Sequence, residues 1–275
     1  MTRAERAFSR RLCATMLVLG CWQALNGGLL HQFAGPPAAY AGIDPAYWLL
    51  HGSGLYALLM QPMVASLFAA GIGGLLLWGS WRPHALALRA LPILLWPYGL
   101  ALNAAWGYPA HSTYPLLFAG AIFLWAGRPT FRLAAEGMRY LAAFVFASAA
   151  AYKLAGGVFT HPEALAMVLP YQHAAFLAFH PDGWHATVLR WLMDQPRLLA
   201  MGMLGMALLQ ASFVGAFFTR RWDNIYRWLI AFFVLGLWLV MRLDFAFLLV
   251  FCPFFGGAAH ALYREPANTT ARFRP

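Results

Sequence analysis

A single lysine, Lys153, lies in an otherwise largely apolar stretch from Met138 to Phe159, MRYLAAFVFASAAAYKLAGGVF. All but this one of the 19 Lys and Arg residues are arginines, and most of those sit at the ends of apolar segments. An ionisable group inside a bilayer span costs roughly 3 kcal/mol at the centre on insertion scales, which makes it a functional candidate by default. Lysine is also the basic side chain whose pKa falls readily on burial, which suits it to general-base work. The competing reading is a lysine in the outer third of its helix that snorkels to the headgroups. His161 and Glu163 follow it at the expected outer rim and are candidate proton relays, so Lys153, His161 and Glu163 form the candidate catalytic set. Tyr152, His173, Arg242 and Asp244 are further candidates for holding a substrate.

The histidines offer a second kind of chemistry. His51, His111, His161, His173, His180 and His185 fall in expected outer loops or outer segment ends, His31 ends the first apolar segment, and His84 and His260 fall on the inner side. Neutral imidazoles ligate zinc, copper or iron. No HExxH, CxxC or Glu-x-x-His pattern accompanies them, so the sequence assigns no metal site and reads them as interfacial histidines. Cys13, Cys21 and Cys252 make no disulfide framework and read as small buried hydrophobes.

The elements that must position these residues follow from composition. Hydrophobic residues make up 62% of 275 positions and charged residues 10%. Soluble domains carry about 25% charged residues. Several stretches approach the roughly 20 apolar residues needed to cross a bilayer. The expected fold is all-α, a polytopic transmembrane helix bundle forming one integral membrane domain over residues 1–275. Eight spans are expected, near 12–31, 56–79, 85–106, 112–127, 138–158, 198–218, 226–242 and 245–262. The first reads as a retained signal anchor. Arginines cluster before the first span and after the second, fourth, sixth and eighth, while 32–55 and 107–111 hold no Lys or Arg. The positive-inside rule then puts both termini in the cytoplasm of a cell with a multi-pass protein in its membrane, a bacterial inner membrane by expectation. The net charge of +10 reflects this one-sided arginine distribution and is not a nucleic-acid signal.

Met241-Arg242-Leu243-Asp244 has no Gly or Pro for a tight turn, so 226–250 is either a hairpin of two spans or one helix with Arg242 buried; the hairpin keeps the arginine-rich tail inside. The segment 159–197 is too long for a plain connector. Its apolar part, Pro162 to Phe179 with Pro170 in the middle, reads as a surface helix or a re-entrant cap. Trp22, Trp48, Trp184, Trp191, Trp222 and Tyr226 fit an interfacial aromatic belt. Gly71, Gly73, Gly74, Gly202 and Gly205 are expected to allow close helix contacts.

Residues 138–167, with Lys153 after a run of small residues, a Gly156-Gly157 break and an Ala164-Leu165 step, resemble the lysine-bearing helix of the vitamin K-dependent γ-carboxylase superfamily. That superfamily includes the HTTM (horizontally transferred transmembrane) proteins and lies near the DoxX-like membrane proteins. A span ending in Arg220-Arg221, followed by two closely joined apolar spans running to Pro253-Phe254-Phe255, is similar in order. The chain differs in carrying Ala149, Ala150 and Ala151 where the family has a glycine before the lysine, and Arg242 where the family has a late histidine. The resemblance implies that Lys153 is the base that deprotonates a quinol, held in an outer-half cavity with its isoprenoid tail toward lipid.

The leading expectation is thus a membrane enzyme acting on a quinol or another lipid-soluble substrate. The alternative is a non-enzymatic assembly, maturation or immunity-type membrane protein whose outer segment 159–197 docks a protein partner. A small-solute transporter ranks below both, because inverted repeats and paired broken helices are not evident in the sequence.

Overall fold

The computed structural model describes residues 1–32, 45–106, 113–157, 164–179, 181–241 and 245–264. All regular structure among them is helical. In chain order the α-helices are α1 (Arg3–Leu25), α2 (Pro45–Gly52), α3 (Leu55–Leu59), α4 (Pro62–Trp81), α5 (Ala85–Trp106), α6 (Tyr114–Ala121), α7 (Phe131–Ala155), α8 (Ala164–Phe179), α9 (Trp184–Met193), α10 (Pro196–Ser212), α11 (Gly215–Phe218), α12 (Asp223–Met241) and α13 (Gly257–Arg264). Short 3-10 segments occupy Leu30–Gln32, Ile122–Trp125 and Ala246–Phe254.

Among the described residues, five helical stretches are long and apolar enough to cross a membrane: Arg3–Gln32, Pro62–Trp81, Ala85–Ala105, Pro196–Phe218 and Asp223–Val240. Ala246–Phe254 and Gly257–Arg264 qualify as a pair, bent by 42°. Tyr114–Trp125 is apolar but shorter. Helix α7 has the length, at 25 residues, yet Arg132, Glu136, Arg139 and Lys153 dilute its apolar character. This is a multi-pass helical membrane protein. Leu25, Leu49 and Met63 are 86%, 76% and 77% exposed, an arrangement that hydrocarbon accepts and water penalises.

The chain divides into two compact units. One joins Met1–Met138 to the chain from Ala246 onward, and the other is Arg139–Phe245. In the first unit α1 starts at a capping box: the Glu5 N–H donates to Thr2 Oγ1 at 3.1 Å and the Thr2 N–H donates to Glu5 Oε2 at 2.9 Å. Buried positions Phe8, Leu12, Met16 and Leu19 recur at helical spacing and face α4, Ala246–Phe254 and α13. Phe8 meets Phe254 and Phe131 edge-on, at 5.3 and 6.1 Å between ring centroids. Arg89 on α5 donates from Nε and Nη2 to the Ala126 carbonyl, at 3.0 and 2.7 Å, capping the end of Ile122–Trp125.

Close helix approach occurs at a glycine other than those expected. A Cβ on Gly79 would stand 2.7 Å from Cys13 Sγ, so glycine there lets α4 seat against α1. A Cβ on Gly73, Gly74, Gly202 or Gly205 would meet nothing within 4 Å, and only Gly71 of the expected set has a tight neighbour, Leu94 at 3.2 Å. Burial of Cys13 matches the sequence reading, whereas Cys21 is exposed and Cys252 is partly buried.

In the second unit α8, α9 and α10 pack on one another, and α8 also meets α12. Leu169 and Leu199 are buried there against Leu192, Met193, Met203 and Val240. Helix α8 continues through Pro170 rather than breaking at it. Helix α12 is described to Met241 and Ala246–Phe254 is 3-10, so 226–250 is not α-helical throughout; Arg242 and Asp244, where the chain would turn or run on, lie outside the described residues.

Candidate functional site

Helix α7 carries three residues seven apart, Arg139, Phe146 and Lys153, and a spacing of seven returns nearly to the same helical face. Small residues Ala142, Ala143 and Ala150 complete this buried stripe. Their lack of bulk lets α10 and α12 side chains reach α7. The stripe therefore reads, from one end to the other, cation, aromatic, cation.

Arg139 is fully enclosed, at 1% exposure, and its partner Asp223 is at 0%. Its Nε donates to Asp223 Oδ2 at 2.9 Å and its Nη2 to Asp223 Oδ1 at 2.6 Å, a bidentate pair. The same Nη2 donates to the Thr219 carbonyl at 2.8 Å. Asp223 is the first residue of α12, where a negative charge also complements the helix dipole. In the sequence Arg139 stands with Arg128 and Arg132 among the arginines that separate the fourth and fifth expected spans. Asp223, set among Arg220, Arg221 and Arg227, was the available signal for its partner.

Phe146 stacks on Phe213 at 4.4 Å and meets Phe233 edge-on at 5.3 Å. Tyr226 joins them, 4.9 Å from Phe213, and its hydroxyl donates to the Ser212 carbonyl at 3.0 Å. Tyr226 is thus a buried core residue, not the interfacial aromatic expected from its place near a segment end. Its chain position fitted a belt; its helical face, turned toward Phe213, put it inside.

Lys153 lies in the last turn of α7, which closes at the expected Gly156-Gly157 break. The Gly156 N–H donates to the Tyr152 carbonyl at 2.8 Å, and Gly157 takes φ +78°, the left-handed conformation that ends helices. Lys153 Nζ donates to Gln210 Oε1 at 2.5 Å. Gln210 is buried, a lone amide in the apolar run of α10, and that isolation was its sequence signal. Lys153 itself is half-buried, so its amine turns toward α10. Among the described residues no carboxylate lies within 4.0 Å of it. A neutral amide oxygen orients the amine without neutralising it, and among the described residues no ion pair must break before a proton moves.

The remaining candidates separate. Tyr152 is 82% exposed and points away from the α7 stripe. His173 is buried on α8, and its Nε2 donates to the Val240 carbonyl at 2.9 Å. His185 on α9 donates similarly to the Leu239 carbonyl at 2.6 Å. Together they cap carbonyls of the last turn of α12, groups that helix geometry leaves without partners. His161, Glu163, Arg242 and Asp244 lie outside the described residues. Among the described residues no three His, Cys, Asp or Glu side chains gather as a metal site.

No family model matches the chain, and neither a curated protein nor a solved structure matches it.

Proposed function

We propose that this protein is a membrane enzyme of the γ-carboxylase-like superfamily in which Lys153 is the general base toward a quinol or another lipid-soluble acid. The observation that carries the reading is the Lys153 amine held by a buried, neutral Gln210, with no carboxylate beside it among the described residues. As the free amine, Lys153 takes the phenolic proton of the quinol and becomes an ammonium, leaving the quinolate to react. Gln210 fixes the direction of the amine, the geometric requirement of a positioned base. His161 and Glu163 relay the proton to the outer face, and Arg242 and Asp244 are the proposed substrate-binding positions, while Tyr152 faces away from the α7 stripe and His173 donates to the Val240 carbonyl. The topology that goes with this reading has eight spans, both termini in the cytoplasm and the protein in a bacterial inner membrane. Helix α7 and the shorter Tyr114–Trp125 then cross as members of the bundle.

The test is proton abstraction from a reduced naphthoquinol by the full chain in lipid nanodiscs, followed as quinolate absorbance and oxygen uptake. Lys153→Met should lower turnover by about 10²-fold or more, the scale of a lost general base. Turnover unchanged in both Lys153→Met and Lys153→Ala would overturn the assignment.

One observation favours a second reading, a docking role in assembly, maturation or immunity. Tyr171, Phe179, Trp184 and Trp191 on α8 and α9 are all exposed large side chains. Aromatic residues of this kind are enriched at protein interfaces. Crosslinking from photoreactive residues at 171 and 184 in native membranes tests it: a discrete protein adduct supports docking, and lipid adducts alone exclude it.

A further inference from the structure

The inner-side arginines do more than line a boundary. A groove of about 620 Å³ lies in the first unit between α1 and the α4–α5 turn. Arg6, Arg10, Arg82 and His84 line it, with Trp78 forming part of its wall. Among the described residues no carboxylate lines it. Glu5, on the same helix as Arg6, is engaged elsewhere: its Oε2 accepts from the Thr2 N–H and lies 3.9 Å from the N-terminal amine. Arg10, Arg82 and His84 are exposed, and Arg82 stands over the Trp81 ring with its guanidinium carbon 5.0 Å from the centroid. Arg6 spends one donor on the Met1 carbonyl at 3.0 Å, and its remaining N–H groups are left to the groove.

The groove is therefore a concentration of positive charge with an opening, and its lip is apolar. Leu77, Trp78 and Trp81 are exposed on α4, and Leu86 is exposed on α5. A free phosphate would use the arginines and ignore that lip. A phospholipid would use both, its phosphodiester on the guanidiniums and its acyl chains along α4. Basic pockets between transmembrane helices on the cytoplasmic side bind anionic headgroups for this reason. Arginine pairs a phosphate through two parallel N–H donors, and its stacking on tryptophan suits interfacial depth.

We infer that the groove formed by Arg6, Arg10, Arg82, His84 and Trp78 is a binding site for the headgroup of an acidic phospholipid. This site is independent of the chemistry at Lys153.

The experiment is native mass spectrometry of the full chain in detergent, titrated with phosphatidylglycerol and, in parallel, phosphatidylcholine of the same acyl chains. Phosphatidylglycerol should bind at least about tenfold more tightly. Arg10→Gln with Arg82→Gln should lower that affinity by about tenfold or more, while Arg128→Gln with Arg264→Gln, exposed arginines outside the groove, should change it less than about twofold. Inorganic phosphate in large excess should not displace the lipid. Arg82→Gln alone serves as the second variant, with an expected loss of about threefold to fivefold. Equal binding of the two lipids, equal losses in groove and control variants, or displacement by inorganic phosphate would each overturn the proposal, the last by marking a soluble-anion site.

Discussion

Helix α7 holds a cation at each end of one stripe, fully enclosed at Arg139 and half-buried at Lys153, and the two are treated in opposite ways. Arg139 is sealed, with a bidentate carboxylate and a backbone carbonyl taking its donors. Lys153, roughly 20 Å further along at 1.5 Å per residue, is half-buried and among the described residues donates to one neutral acceptor, Gln210. Compensation distinguishes them. A fully paired buried charge holds helices in register and has no freedom to change state, because losing either partner strands the other. A charge with one neutral partner can gain or lose a proton with little rearrangement. The guanidinium suits the first role, being planar and permanently charged, and the amine suits the second.

Five variants sharpen or break this contrast. The largest effect should come from Asp223→Asn, which keeps shape but leaves Arg139 buried without its counter-charge. A loss of about 3–5 kcal/mol is expected, read by unfolding in mixed micelles. Removing both charges as Arg139→Met with Asp223→Leu should cost less than the single change, and equal or greater loss in the double variant would show that the pair is not the origin of the effect. Next, Gln210→Leu takes the Oε1 acceptor from Lys153 at a cost of about 1–3 kcal/mol. It should also speed amine labelling of Lys153, since the side chain is then free to turn outward; unchanged labelling would mean that Gln210 does not direct it.

Phe146→Leu loosens the aromatic divider between the two ends and should cost about 1–2 kcal/mol through lost packing with Phe213 and Phe233. The same variant should leave Lys153 labelling within about twofold if the ends behave independently. The smallest change in stability, about 1 kcal/mol, the low end for a buried acceptor left without its donor, is expected from Lys153→Met, because the thioether fills similar space and only the Gln210 bond is lost. That variant therefore separates a functional lysine from a structural one: activity falls while the fold persists. A stability loss as large as that of Asp223→Asn would erase the distinction between the two ends.

Particular residues show where sequence reasoning reached and where it stopped. The Gly156-Gly157 break was legible because a left-handed residue after an apolar run ends a helix through local geometry alone, and Gly157 adopts that conformation. Lys153 stood out by the same local logic, as a charge in an apolar segment. Asp223 and Gln210 did not, because they lie 84 and 57 residues from the groups they pair with. A lone amide or carboxylate can be seen in the sequence, but nothing near it says which distant group it will meet. Position along a segment places Tyr226 at an interface, while the face it presents depends on which helix lies opposite. Gly79 lies outside the more regular glycine array, and the seating of Cys13 and Leu88 against it is what makes its missing side chain matter.

The amino-acid sequence by itself determined that this is a helical protein of the membrane, with charges confined largely to segment ends and one lysine left within. Apolar length, helix caps and hydropathy are properties of contiguous residues, and the cost of unpaired backbone in hydrocarbon turns them directly into helices. Tertiary structure alone decided the partners: a carboxylate for Arg139, an amide for Lys153, and carbonyls of α12 for His173 and His185. The physical reason is that a buried polar group is satisfied by whatever the packing of helices brings within about 3 Å, and that proximity is written in no local stretch of the chain.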